Sequence, residues 1–214
     1  DDRSAAFNMT DDLISLYGSY DGGSWYSEAT LSAGFGEVDS IRRTGGYAYE
    51  AEYDSTSYNA RIEAGMKLAQ EDWQGTPMAV AAYSQKDYDS YDETGGPMAL
   101  SVDSQDYSVF TVGAGALLQK DFTQQWGIIT PEISGMLNYD LDNDRIQSTA
   151  NFVGGNTAFV VNGVEPSETS WDLGAALTIA SPGTQPVSLR LGYDYSGRED
   201  FEIHSFSGKL RFDF

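Results

Sequence analysis

Between Tyr58 and Leu68 the chain alternates without a break. Tyr58, Ala60, Ile62, Ala64, Met66 and Leu68 fall on one parity, and Asn59, Arg61, Glu63, Gly65 and Lys67 on the other. A strand turns successive side chains to opposite faces, so this segment has one apolar face and one charged face. A packed sandwich core would have to bury Arg61, Glu63, Lys67 and, further on, Arg190, which is costly unless every charge is paired. A membrane β-barrel solves the conflict, because its outer face meets lipid and its lumen is wet. A soluble β-sandwich is the poorer reading.

The same two-faced pattern recurs in eight other segments. The first covers about 12–21, with Ile14, Leu16, Gly18 and Tyr20 on its apolar side, and the Asp21-Gly22-Gly23-Ser24 hairpin signal follows. The second, about 25–37, places Ala29, Leu31, Ala33 and Phe35 against Glu28, Thr30, Ser32 and Gly34. Two later segments, about 76–86 and 126–140, carry Thr-Pro near their starts, where proline removes little of the ladder. Others end near 120, centre on Trp171–Ile179 and Val187–Tyr195, and run from Glu202 to Phe214. In the last, His204, Phe206, Gly208, Leu210, Phe212 and Phe214 face one way and Ser205, Ser207, Lys209, Arg211 and Asp213 the other. Regularly spaced strands of this kind predict an all-β, antiparallel fold.

The connections are expected to alternate in length. Those near 21–24, 70–75, 120–125 and 181–186 read as short, and those near 39–55, 87–104, 141–167 and 196–201 as longer, polar and acidic loops. Residues 1–10 read as a polar lead-in to a barrel domain over 11–214. Short turns on one rim and long loops on the other is the outer-membrane barrel arrangement. Trp25, Tyr83, Trp126, Tyr139, Trp171, Tyr193 and Phe212 sit at strand ends, where interfacial aromatic girdles belong.

Composition narrows the partners. The formal charge of -21, from 33 acids and 12 bases, argues against nucleic acid and against strong attraction to anionic lipid surfaces. There is no cysteine, hence no disulfide framework and no thiolate zinc site. No apolar run is long enough for a membrane helix, which says nothing of strands.

Catalytic and metal signals are weak throughout. His204 is the one histidine, on the apolar parity near a rim, where an interfacial role is expected. No G-x-S-x-G is present. Asp140, Asp142 and Asp144 have a D-x-D-x-D spacing, but Arg145 stands where a calcium loop needs glycine and Asn151 where it needs glutamate. The expectation is a solvated loop, no metal and no cofactor. Gly113, Gly115, Gly174 and Gly192 fall at inward strand positions, where they allow bending and leave room.

Segments spread over nearly the whole chain resemble the autotransporter β-domains of type V secretion. They are TPMAVAAYSQKDYDSYDETGG, LSVDSQDYSVFTVGAGALL, ITPEISGMLNYDLDND, GNTAFVVNG and LRLGYDYSGREDFEIHSFSGKLRFDF, in that order and with family-like spacing. The resemblance implies a twelve-stranded barrel at the C-terminus of a longer protein. It further implies an exported N-terminal passenger, a helical linker in the lumen, and an outer-membrane location in a Gram-negative bacterium with loops at the cell surface. About nine strands are visible, so the first strands and the linker are expected to lie upstream of this sequence.

The function expected is a non-enzymatic translocator. Its expected partners are outer-membrane lipid, the barrel-assembly machinery and its own passenger. Phe206, Leu210, Phe212 and Phe214 are expected to form a C-terminal assembly signal. Glu28, Arg61, Glu63, Lys67, Glu132, Asp172 and Arg190 are expected to face the lumen. Some family members cut their linker with lumen acids, and Glu28, Glu63, Glu132 and Asp172 have the parity for it. A structural role for these charges is the preferred reading. A stand-alone barrel, acting as adhesin or pore through its acidic loops, is the alternative.

Overall fold

The computed structural model describes residues 4–143, 147–155, 157–163, 166–182, 187–199 and 201–212. In chain order the strands are β1 (Ser4–Asp21), β2 (Trp25–Thr44), β3 (Tyr47–Met66), β4 (Leu68–Gln70) and β5 (Trp73–Tyr88). There follow β6 (Tyr91–Asp92), β7 (Leu100–Val102), β8 (Gln105–Lys120), β9 (Phe122–Gln124) and β10 (Gly127–Asn143). The last five are β11 (Gln147–Phe152), β12 (Ala158–Asn162), β13 (Thr169–Ala180), β14 (Val187–Arg198) and β15 (Phe201–Phe212). No helix is long and apolar enough to cross a membrane among the described residues.

Nine long strands pair antiparallel with their sequence neighbours in the order β1-β2-β3-β5-β8-β10-β13-β14-β15. They are the nine segments that alternation picks out. The short strands β4 and β9 extend the ladders of β5 and β10. Register keeps like with like: Ala33 opposes Tyr58, Ala60 opposes Tyr83, Tyr83 opposes Phe110, and Tyr193 opposes Phe206. One face thus carries a continuous apolar band, and a one-residue slip of any strand would scramble it.

Three expectations need correction. Residues 4–10, read as polar lead-in, are the start of β1, which pairs residue by residue with β2 from Ser4 opposite Arg43 down to Asp21 opposite Tyr26. The stretch 39–55 is not a long loop. β2 and β3 run on to a tight turn at Gly45-Gly46, whose φ angles of 59° and 81° suit glycine. Both errors share a cause. Beyond Phe35 and Tyr58 the outward positions turn acidic, and the apolar residues, Phe7, Met9, Val38, Tyr49 and Tyr53, fall on the opposite parity, so the alternation of the membrane band breaks there.

The third correction concerns the acidic loops. Residues 91–102 and 147–162 supply a second, four-stranded sheet in the order β12-β11-β7-β6. It packs on the tip of the β2–β3 hairpin through a bridge between Glu50 and Thr94. Val38, Tyr49, Ala99, Val102 and Ala150 are buried there, together with Glu93. Arg42 donates to both carboxylate oxygens of Glu93, at 2.9 and 2.5 Å, and its guanidinium lies 4.5 Å from the centre of the Tyr49 ring. Tyr53 stacks on Tyr91 at 4.3 Å, and burial raises the Tyr91 hydroxyl's pKa above its usual value. The loop rim is therefore a small folded cap.

The turn makes a direct prediction. Nothing lies near a Cβ at Gly46, so Gly46→Val is opposed only by its left-handed backbone, at about 1–2 kcal/mol. Limited proteolysis of the full-length, membrane-inserted protein should cut between residues 44 and 47 several-fold faster in the variant, with the heat-modifiable band on gels retained. Equal cleavage would contradict the tight turn.

Candidate functional site

The candidate site is the polar face of the sheet together with its last strand. On this face successive ladders bring Tyr26, Glu28, Arg61, Glu63, Asn138, Glu132, Asp172, Arg190 and Ser196 to one side. Ser55, Thr76, Val80 and Asp140 on it are buried, whereas Ile133, Leu137 and Phe206 on the opposite face are 60, 60 and 82% exposed. Side chains on the polar face also bridge strands that are not neighbours. Arg190 and Arg198 on β14 reach across β13 to Glu132 and Asp140 on β10. These bridges, together with the burial of Ser55, Thr76, Val80 and Asp140, fit a sheet whose concave side is this face.

Register puts Glu28, Arg61, Glu63, Glu132, Asp172 and Arg190 on one face of the sheet, and Lys67, just past β3, reaches Asp21 on it. Arg190 grips Glu132 with two bonds of 2.9 and 2.6 Å, a fork-to-fork pair of the stronger kind. Asp172 accepts from Asn138 Nδ2 at 2.7 Å and from Ser196 Oγ at 2.5 Å. Glu63 accepts from Arg61 at 2.7 Å and from the Tyr26 hydroxyl at 2.9 Å. Glu28 stands opposite Glu63 in the β2–β3 ladder. Lys67, just past β3, donates to Asp21 at 2.6 Å and holds the short-turn rim. A recess of about 380 Å³ between Asp21, Tyr26, Glu28, Glu63, Lys67 and Gln119 opens on the inner face at that rim.

Several functional neighbours escaped the sequence reading. Asp140, the first acid of the D-x-D-x-D run, is not a loop residue. It accepts from Thr111 Oγ1 and Arg198 Nη2, both at 2.6 Å, and is 3% exposed. A register shift between Asp140 and Asp142 parts them, and Asp144 and Arg145 lie outside the described residues. Parity alone could have found Asp140, because it continues the series Glu132, Ser134, Met136, Asn138. Nothing in the sequence announces the Arg42–Glu93 pair, whose members are 51 residues apart.

Small residues let the inner side chains pass. A Cβ at Gly113 would come within 2.2 Å of Asn138 Oδ1, and one at Gly115 within 2.3 Å of the Gly135 carbonyl oxygen. The second obstacle is backbone, so Gly115 allows two strands to approach where the sheet bends.

The last strand, β15, pairs only with β14, and β1 only with β2, so each shows an open edge among the described residues. His204, Phe206, Leu210 and Phe212 stand on its apolar face, while Phe214 lies outside the described residues. Phe206 packs 5.1 Å from the Tyr193 ring. His204 Nδ1 is 2.8 Å from the Tyr193 hydroxyl.

The aromatics form two levels on the apolar face. Tyr20, Trp25, Trp73, Phe122 and Phe212 mark the short-turn rim; Tyr58, Tyr83, Phe110, Tyr139 and Trp171 mark the loop rim. From Trp73 to Tyr83 along a strand tilted at roughly 45° is about 23 Å, near the height of a barrel's apolar band.

The comparisons with known proteins agree with this geometry. The family model described as "Autotransporter beta-domain" matches residues 1–194. The chain is 26% identical over 225 residues to "Esterase EstA" of Pseudomonas aeruginosa, covering 99% of this chain but 34% of that protein. It is 27% identical over 164 residues to "Outer membrane protein A" of Rickettsia rickettsii, covering 76% of this chain and 7% of that protein. The chain thus spans about a third or less of these curated relatives. In fold it matches the translocator domain of autotransporter NalP from Neisseria meningitidis. The TM-score is 0.67 at 18% identity, over 97% of this chain and 70% of that one.

The inner charges act as coupled pairs. Glu132→Gln and Arg190→Gln, made singly and together in the full-length protein, should show a coupling of roughly 1 kcal/mol in urea unfolding after reconstitution into lipid. Strict additivity would mean that the pair is not formed.

Proposed function

Because this chain belongs to the autotransporter β-domain family of outer-membrane translocator barrels, we propose that it supports the export and surface anchoring of a passenger located N-terminal to it. The observation that carries the reading is the division of one sheet into an apolar band and a charge-paired inner face. The first suits lipid. The second gives a polypeptide in transit a wet, already compensated wall, which neither grips one sequence nor repels a charge. Glu28, Arg61, Glu63, Lys67, Glu132, Asp172 and Arg190 are the wall residues in this reading. Three of the four acids considered for linker cleavage, Glu63, Glu132 and Asp172, are engaged by side-chain donors, which supports a structural role for them.

We read the domain as non-enzymatic. The esterase named for the Pseudomonas relatives describes proteins of which this chain spans 34%. The outer membrane is its location, with the folded cap at the cell surface and the short turns in the periplasm. The open edges of β1 and β15 bear on closure. Unpaired backbone groups in hydrocarbon cost several kcal/mol each, so the barrel needs further strands between them, which the upstream chain would supply. The edge of β15 is also a template for strand addition by the assembly machinery. Its greasy signal would be Phe206, Leu210, Phe212 and Phe214.

Two outcomes test this. Deleting Phe214, or replacing both Leu210 and Phe212 by Ser, should lower the outer-membrane level several-fold and leave degraded protein in the periplasm. Normal levels would count against the signal. In detergent, the 214 residues alone should give no heat-modifiable, protease-resistant band, while a chain extended upstream should. A sharp shifted band from the short chain would show that these strands close without help.

A further inference from the structure

We propose that the apolar face carries a specific phospholipid site at the short-turn rim, with Lys120 holding the lipid phosphate and the groove below it holding an acyl chain. The proposal rests on the barrel reading above, since it needs this face to meet lipid. The groove has a volume of about 290 Å³ and is walled by Trp73, Leu118, Phe122, Pro131 and Ile133. Register explains its position. Trp73 on β5 opposes Lys120 on β8, Ile133 on β10 opposes Leu118, and Leu118 also opposes Gly75, which has no side chain to fill the space.

Lys120 stands at the mouth of this groove. Its Nζ lies 4.9 Å from the centre of the Trp73 ring and 5.1 Å from that of Phe122, so two aromatic faces hold the ammonium in place. By strand parity, the described lysines and arginines turn to the inner face except Arg43 and Lys120, and Arg43 sits at the opposite end of the sheet. A positive charge on the lipid side, at the level of the aromatic rim, is placed to meet the anionic part of a headgroup. Lys120 makes no ion pair among the described residues. Of the nearby carboxylates, Asp121 accepts from Thr130 Oγ1 at 2.6 Å, Glu132 is held on the other face by Arg190, and neither these nor Asp72 forms an ion pair with Lys120 among the described residues. The Trp73 level is where headgroups begin, so the charge that meets Lys120 is a lipid phosphate with its chain running down the groove. A phosphate free in water would leave the apolar groove uncovered.

The test uses the full-length protein, purified in non-ionic detergent, with native mass spectrometry to count bound lipid. The probes are dioleoyl phosphatidylglycerol and dioleoylglycerol, which differ by the phosphate-containing headgroup. Wild type should bind the phospholipid about ten-fold more tightly than the diglyceride, the scale of one charge-assisted contact. Lys120→Ala should bring the two to equal affinity. Lys120→Arg should keep the preference, and Arg43→Ala should leave it unchanged. Lys120→Gln carries the same test should the alanine variant fail to fold. An undiminished preference in Lys120→Ala or Lys120→Gln would overturn the site, as would its loss in Arg43→Ala. The heat-modifiable band keeps the two claims apart: its absence from wild type counts against the barrel itself, and its presence with no phosphate preference counts against Lys120 alone.

Discussion

A backbone that enters hydrocarbon must take all its hydrogen-bond partners with it, and this constraint organises everything else in the molecule. Nine antiparallel strands meet it for each other, neighbour to neighbour in sequence. Among the described residues of this sheet, the rows along the outer edges of β1 and β15 are left over. Antiparallel neighbours need only short turns, so contacts stay local until the ends of the sheet must meet. The two edge strands lie at opposite ends of the sheet and of the described sequence, so closing that gap joins residues far apart in the chain.

Once the ladder is fixed, period two decides where chemistry can sit. Ile133, Leu137, Leu177 and Leu191 face outward because their neighbours Glu132, Asn138, Thr178 and Arg190 must face in. The inner charges are then arranged as pairs and triads: Arg190 with Glu132, Arg198 with Asp140 and Thr111, Tyr26 and Arg61 with Glu63. An acidic chain can line a passage this way without making it a trap for bases. The surplus negative charge lies instead on the strand extensions and loops beyond the band.

The part of the fold inside the membrane was legible in the sequence because lipid imposes a pattern on every second residue. Tyr58 to Met66, Trp171 to Ile179 and Val187 to Tyr195 keep one face apolar for that reason, and each is a strand. Above Phe35 the parity inverts, with Val38, Tyr49 and Tyr53 on the inward side and Glu37, Asp39, Glu50 and Glu52 on the outward side, so β2 and β3 continue without extending the pattern of the band. The same is true of β1 over residues 4–10. The cap was hidden more deeply. Its buried pair, Arg42 and Glu93, depends on tertiary contact between a hairpin and a loop, and charge alone reads as solvated surface. On the inner face, parity gives Glu132 and Arg190 but not their geometry, and the D-x-D-x-D spacing that begins at Asp140 hides that residue's place in the inward series at the end of the segment 126–140.

The central claim is that one face of this sheet meets water and the other lipid, residue by residue. The chain has no cysteine, so single cysteines can be placed freely. The direct measurement is labelling of Ile133→Cys, Ser134→Cys, Met136→Cys and Leu137→Cys on β10 in the membrane-embedded full-length protein, using a water-soluble, membrane-impermeant maleimide after opening the cells. Positions 134 and 136 should label, and 133 and 137 should stay protected until detergent is added. Equal labelling at all four positions, or the reverse parity, would contradict the account.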